Sequence, residues 1–144
     1  MEGRILAVDW GVKRIGLALS DETRTLAQPL TTLIRRARKR FPMAQLIDLV
    51  NRHQVTGIIV GLPLDESGAE GDAAHAAKAL ADDIKRRVRD VEVTMWDERM
   101  TTARVLAAVR EMGGSTRGRK ADLDAMAAAL LLQHYLDTRK GTAL

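Results

Sequence analysis

The chain has 144 residues, 46% hydrophobic and 29% charged, a balance that excludes wholesale disorder and matches the size of one ordinary domain with a real core. It contains no cysteine, which excludes disulfides, thiolate metal sites and cysteine nucleophiles and is compatible with a reducing cytoplasm. The formal charge is only +4, so affinity for a polyanion must come from clustering of basic residues rather than from their sum.

The N-terminus, Met1-Glu2-Gly3-Arg4, leads straight into an apolar run with no cationic segment, long apolar core or cleavage site. No signal peptide is read there, and no apolar stretch approaches the roughly 20 residues of a membrane span, so a cytoplasmic location is expected. Ile5-Leu6-Ala7-Val8 predicts a buried strand ending at Asp9-Trp10-Gly11. Ile15 to Leu19 predicts a second strand, joined to the first in a hairpin through Gly11-Val12-Lys13-Arg14. A weaker third strand covers Leu30 to Ile34 after Pro29. Pro42 opens a helix with Met43, Leu46, Ile47 and Val50 on one face.

Gly57 to Gly61 predicts another buried strand, stopped by Pro63. Asp65 to Gly71 is loop chemistry, and Asp72 is expected to cap a helix whose core face is Ala73, Ala77, Leu80, Ile84 and Val88. Val91 to Met95 alternates as a strand ending at Trp96-Asp97-Glu98. Thr101 or Thr102 begins a helix carrying Val105, Leu106, Val109 and Met112, terminated by Gly113-Gly114. After a glycine-rich loop from Ser115 to Lys120, a last helix runs from about Asp122 to Tyr135. Strands alternating with helices predict an α/β layer fold in one domain, its largely parallel sheet made mixed by the opening hairpin.

Basic residues fall in three groups: Arg35, Arg36, Arg38, Lys39 and Arg40; Lys85, Arg86, Arg87 and Arg89; and Arg117, Arg119 and Lys120. Such patches gain from counterion release on a polyanion, although Lys and Arg also suit helix C-termini. The third group lies in a glycine-rich loop, which favours the polyanion reading. The aromatic content of 3% argues against a stacking platform for single strands.

Acids at the ends of apolar elements carry the chemistry. Asp9 ends the first strand, Asp97-Glu98 ends another, and Asp122 and Asp124 open the last helix. Separately each has a structural use: a turn, an ion pair with Arg99, a helix-dipole partner. Jointly they could converge at one sheet edge, where clustered carboxylates need a cation. Oxygen donors without His or thiolate suit Mg²⁺ or Mn²⁺, and a pair of such ions supports phosphodiester hydrolysis. His53, His75 and His134 form no zinc-ligand spacing. There is no serine elbow, P-loop or dinucleotide fingerprint.

These residues resemble a known family. Asp9-Trp10-Gly11-Val12-Lys13-Arg14-Ile15-Gly16 is similar to the D-x-G-x-K-R-x-G opening of the YqgF (RuvX) family, and Val60-Gly61-Leu62-Pro63-Leu64 to its G-L-P-L loop. Trp96 to Ala103 resembles its D-E-R-x-T-[ST]-x-x-A block, and Asp124 with Ala127-Ala128 and Leu130 to Gln133 its terminal D-x-x-A-A-x-L-x-L-Q helix. Trp10 departs from the smaller residue more usual there. The resemblance implies a ribonuclease H-like fold, a five-stranded mixed sheet flanked by helices. It implies metal ligands at Asp9, at Asp97 or Glu98, and at Asp124, with Asp122 able to assist. Glu98 is favoured of the two; strand alternation groups Asp97 with Val93 and Met95, so the two side chains point differently, and alternation does not say which reaches the metal.

In this reading Lys13, Arg14, Arg99, Arg117, Arg119 and Lys120 would face nucleic acid, though Arg14 and Arg99 could equally pair with acids. Gly11 and Gly61 would meet backbone requirements. The resemblance implies a divalent-metal endonuclease acting on structured nucleic acid, either a 16S rRNA precursor or a Holliday junction, the latter helped by a homodimer. A non-catalytic nucleic-acid module of the same fold is the alternative. An actin-like kinase would need a second domain to enclose its nucleotide.

Overall fold

The computed structural model describes residues 3–11, 14–35, 41–63, 67–97 and 120–143. Its elements in chain order are β1 (Arg4–Asp9), β2 (Arg14–Ser20), β3 (Ala27–Ile34), α1 (Met43–Arg52), β4 (Val55–Leu62), α2 (Asp72–Arg87), β5 (Glu92–Asp97) and α3 (Lys120–Ala143). The strands form one sheet in the order β3-β2-β1-β4-β5. β1 to β3 pair antiparallel, while β4 pairs parallel with β1 and with β5. The expected mixed α/β sheet is therefore present. The helix read over residues 101–112 and the loop before Lys120 lie outside the described residues.

Covered faces explain the composition of the central strands. β1 is almost wholly apolar because both its sides are packed, as buried strands require. Leu6 and Val8 enter a core with α1 and α2 that includes Leu17, Leu46, Ile58, Leu80 and Ile84. Ile5 and Ala7 enter a second core with Ala18, Ile59 and, from α3, Ala127, Ala128, Leu131, Leu132 and Leu136. Positions 124, 125, 128, 131, 132, 135 and 136 of α3 make one buried stripe at helical spacing. Among the described residues, no helix is long and apolar enough to cross a membrane.

Several boundaries differ from the sequence reading, β4 for example beginning at Val55 rather than Gly57. β3 begins at Ala27 and passes through Pro29 instead of starting after it. The strand is at the sheet edge, and the register shifts where Leu17 faces Thr31 but Ala18 faces Pro29. An edge with a bulge is where a strand tolerates a residue that cannot donate. Asp72 is the first helical residue of α2, not its cap; Gly71 holds that position and the cap makes no side-chain hydrogen bond. The first buried alanine of α2 is Ala74 rather than Ala73, while Ala77, Leu80 and Ile84 are buried as expected. α3 begins two residues before and ends eight residues after the range read from sequence, running through Gly141.

The β2–β3 connection is locked by the half-buried carboxylate of Asp21. Thr23 donates its hydroxyl to Asp21 Oδ2, and the backbone N–H groups of Thr25 and Leu26 donate to Oδ1 at 2.7 and 2.9 Å. The Thr23 hydroxyl, followed by these backbone donors, lowers the Asp21 pKa from 3.8 to about 2. A depressed carboxylate stabilises the fold above its unfolded pKa and stops doing so as pH falls through the folded one. The turn should therefore weaken between about pH 4 and pH 2. Carboxyl NMR titration should give an Asp21 midpoint near 2, and Asp21→Asn should make stability less pH-dependent in that window.

Candidate active site

β1 ends at Asp9, and strand alternation gives Asp9 the side of the sheet that Ile5 and Ala7 share with α3. On β2 the residue facing Asp9 across the antiparallel ladder is Gly16. Directly opposed residues direct their side chains to the same face, with Cβ atoms roughly 5 Å apart. A Cβ built on Gly16 would lie 2.0 Å from the carbonyl oxygen of Asp124 and 2.4 Å from its carbonyl carbon. The first turns of α3 thus rest on the β2 backbone beside Asp9, at a distance that only glycine permits. Two acids 115 positions apart in the sequence are brought together by this contact.

Both carboxylates are withdrawn from solvent, Asp9 at 3% exposure and Asp124 at 0%. Arg14, two residues before Gly16 and on the same face, donates from Nε to Asp124 Oδ2 at 2.7 Å. Of the two roles open to Arg14, the geometry gives it the acid partner. Asp9 Oδ2 and Asp124 Oδ1 are buried and take no hydrogen bond from the described residues, although both carboxylates have other interactions. Burial of two neighbouring carboxylates is costly, and the Arg14 guanidinium offsets part of that cost at Asp124. Oxygen-only donors in that setting fit a hard divalent cation.

The described residues supply two members of the expected acid set. Among them, no group of three or more His, Asp or Glu side chains is gathered. Asp97 is the last residue of β5, opposite Leu62, and alternates with Trp96. Trp96 packs on the α3 side, whereas Val93 and Met95 pack on the α1–α2 side, so Asp97 belongs to the face away from Asp9. Glu98, Lys13, Arg99, Arg117 and Arg119 lie outside the described residues. Asp122 is in the first turn of α3, and Lys120 opens that helix instead of closing the preceding loop. Gly61 pairs with Trp96 on the face that carries Asp9, while Gly11 and Pro63 follow the ends of β1 and β4.

Side chains that the sequence reading did not single out also position the site. Gln133 accepts from Ala27 N–H through Oε1 at 2.9 Å and donates through Nε2 to Thr25 O at 3.0 Å. One carboxamide thereby ties α3 to the start of the edge strand. Trp96 donates its indole N–H to His134 Nδ1 at 3.1 Å and meets Tyr135 edge-on, which joins β5 to α3. Gly16 was legible only as the last glycine of a motif, because its need arises from a helix at the far end of the chain.

The family model for RuvX, described as Holliday junction resolvase, matches residues 3–138. The chain belongs to this family. A protein of Paramagnetospirillum magneticum named "Putative pre-16S rRNA nuclease" is 39% identical over 140 residues, covering 97% of this chain and 89% of its own length. One of the same name from Acetivibrio thermocellus is 35% identical over 136 residues, 94% of this chain and 96% of its own. Among solved structures, the fowlpox virus resolvase with its Holliday junction DNA superposes with TM-score 0.55 at 11% identity, over 94% of this chain and 98% of that one. Thermus thermophilus RuvC gives 0.53 at 16% identity, over 96% and 97%. The RuvX chain thus has the ribonuclease H-like fold expected from its motifs.

Replacing Gly16 tests the contact on which the acid pair depends. Because the clash is with backbone, Gly16→Ala should cost about 3 kcal/mol, the upper part of the usual overpacking range. Thermal melting should show this as a fall of roughly 10 °C. An unchanged melting temperature would mean that α3 is not seated at Gly16.

Proposed function

We propose that the chain is a divalent-metal-dependent endonuclease that hydrolyses phosphodiester bonds of structured nucleic acid, its cellular substrate the 5′ end of a 16S rRNA precursor. The observation that carries this reading is that two buried acids, Asp9 and Asp124, both adjoin Gly16 at the end of the central strand of a RuvX-family chain. The names of the relatives favour RNA processing; the fold neighbours keep Holliday junction cleavage as a second activity, for which two copies of the chain would serve the two symmetric cuts. Trimming of ribosomal RNA would take place in the cytoplasm. All described elements belong to one sheet and the helices on it, which supports a single nuclease domain.

Asp9, Asp124 and Glu98 would hold Mg²⁺ or Mn²⁺, two ions being the usual complement for this chemistry. Bound there, the metal supplies activation of the attacking water and stabilisation of the leaving oxygen. Glu98 is favoured over Asp97 because Trp96, two residues before it, packs on the Asp9 side. Asp122, in the same turn as Asp124, is the supporting acid. Arg14 fixes the Asp124 carboxylate through Oδ2, so that its second oxygen keeps one direction. Lys13, Arg99, Arg117, Arg119 and Lys120 supply positive charge for the phosphate backbone.

The test is cleavage of a 5′-extended 16S rRNA precursor and of a four-way DNA junction, side by side, with Mg²⁺, with Mn²⁺ and with EDTA. Metal-dependent cutting should fall at least a hundredfold in Asp9→Asn, since loss of even a supporting group around a metal costs 10–100-fold. Asp9→Asn should still fold, because it removes charge without changing volume. Cutting that survives EDTA, or survives Asp9→Asn, would sink the proposal. Binding of both substrates with no cutting by the unaltered protein would make the chain a non-catalytic or partner-activated module.

A further inference from the structure

Asp9 and Trp10 are consecutive, and alternation sends them to opposite sides of the sheet: Asp9 towards α3, Trp10 towards α1 and α2. On that second side Trp10 borders a cleft of about 570 Å³, lined with Arg35, Phe41, Leu80, Arg86 and Arg87 among others. The volume falls in the roughly 300–1,000 Å³ range of clefts that take small molecules or single residues of a polymer. Trp10 and Phe41 stack with ring centroids 6.3 Å apart and planes at 28°, and the Arg35 guanidinium carbon lies 5.3 Å from the Trp10 centroid. Two of the four aromatic residues of the chain meet here. The low aromatic content therefore does not argue against stacking at this one place.

The cleft also joins two basic groups far apart in sequence, Arg35 from the first and Arg86 and Arg87 from the second. Asp83 pairs with Arg86 at 2.9 Å and with Arg87 at 3.4 Å. Among the described residues, three guanidiniums and one carboxylate line the cleft, so its lining is positive on balance. Guanidinium groups match phosphate oxygens in geometry, and aromatic or guanidinium planes accept bases of any sequence. We propose that this cleft binds an unpaired nucleotide of the substrate strand, its base against the Trp10–Phe41 pair and its phosphate against Arg86 and Arg87. The occupant is single-stranded because a base paired in a duplex cannot reach the rings. A strand leaving the Asp9 side would cross the end of β1 and present the nucleotide flanking the cut to this cleft. The site rests on the nuclease reading for its substrate, but binding there needs no metal.

Trp10 is its own reporter. With Trp96→Phe as background, Trp10 emission is followed in EDTA as a single-stranded oligoribonucleotide of about 12 nucleotides is added, beside a blunt duplex of that length and polyglutamate. The single strand should quench saturably, and Phe41→Ala and the Arg86→Ala/Arg87→Ala pair should each weaken it about tenfold, the scale of one lost stack or phosphate contact. Duplex and polyglutamate should quench at least tenfold more weakly. If Trp96→Phe fails to fold by circular dichroism, the same signal is read as the difference between the unaltered protein and Trp10→Phe. Single-strand binding seen by anisotropy with unchanged Trp10 emission would overturn the proposal and leave the nuclease reading standing; so would equal quenching by duplex or polyglutamate. Absence of any binding to single strands or to the rRNA precursor would overturn both.

Discussion

α3 lies against the sheet at backbone distance, and the rest of the site follows from that spacing. A helix packed on large side chains would stand well off the strands. Here the facing positions are Gly16, Ala7 and Ala18 on the sheet and Ala125, Ala127 and Ala128 on the helix. Small residues on both surfaces let the Asp124 carbonyl reach the place where a Gly16 Cβ would be. Leu131, Leu132 and Leu136 follow further along α3, each worth about 1.5–3 kcal/mol on full burial, and hold the helix down along its length. Gln133 and Trp96 fix it laterally at the two sides of the sheet. The apolar contacts thus supply the stability, while the glycine sets the distance.

That distance is why two acids are buried side by side, an arrangement that opposes folding on its own. Desolvation and mutual repulsion both disfavour a pair of carboxylates. Arg14 answers part of this by reaching Asp124 from the same face of β2, and its own partial exposure lessens its desolvation cost. An ion pair of this kind orients more than it stabilises, since the gain from attraction is spent largely on dehydration. Arg14 is best understood as setting the direction of Asp124.

How much of this was legible in the sequence depended on how local each cause is. The central strands were readable because their apolar runs are continuous, and α1 because Met43, Leu46 and Val50 recur at helical spacing. Pro29 misled the β3 boundary, since a proline breaks a central strand but not a bulged edge strand, and only the sheet order tells which strand is the edge. Asp72 misled the α2 boundary because an acid favours both a cap and a first turn. Asp9 and Asp124 were legible as acids at element ends, whereas the role of Gly16 and the choice made by Arg14 depend on a helix more than a hundred residues away. Alternation sets Asp97 and Glu98 on different sides without saying which serves the site, and it is the packing of Trp96 on the α3 side that puts Asp97 on the face away from Asp9.

The same period-two alternation gives the end of β1 its two-sided character. A strand with both faces covered cannot place consecutive side chains in one environment. Asp9 and Trp10, one peptide apart, therefore enter different layers: one a small-residue seam between sheet and helix, the other a cleft among aromatic and guanidinium groups. A nuclease needs such an arrangement, because the scissile phosphate has to enter a dry, anionic pocket that would otherwise repel it. Positive charge and stacking surface on the adjoining layer can hold the flanking strand against that repulsion. In the proposed function the carboxylate side would hold the metal that supplies the chemistry, and the side bearing Trp10 would keep the strand in place.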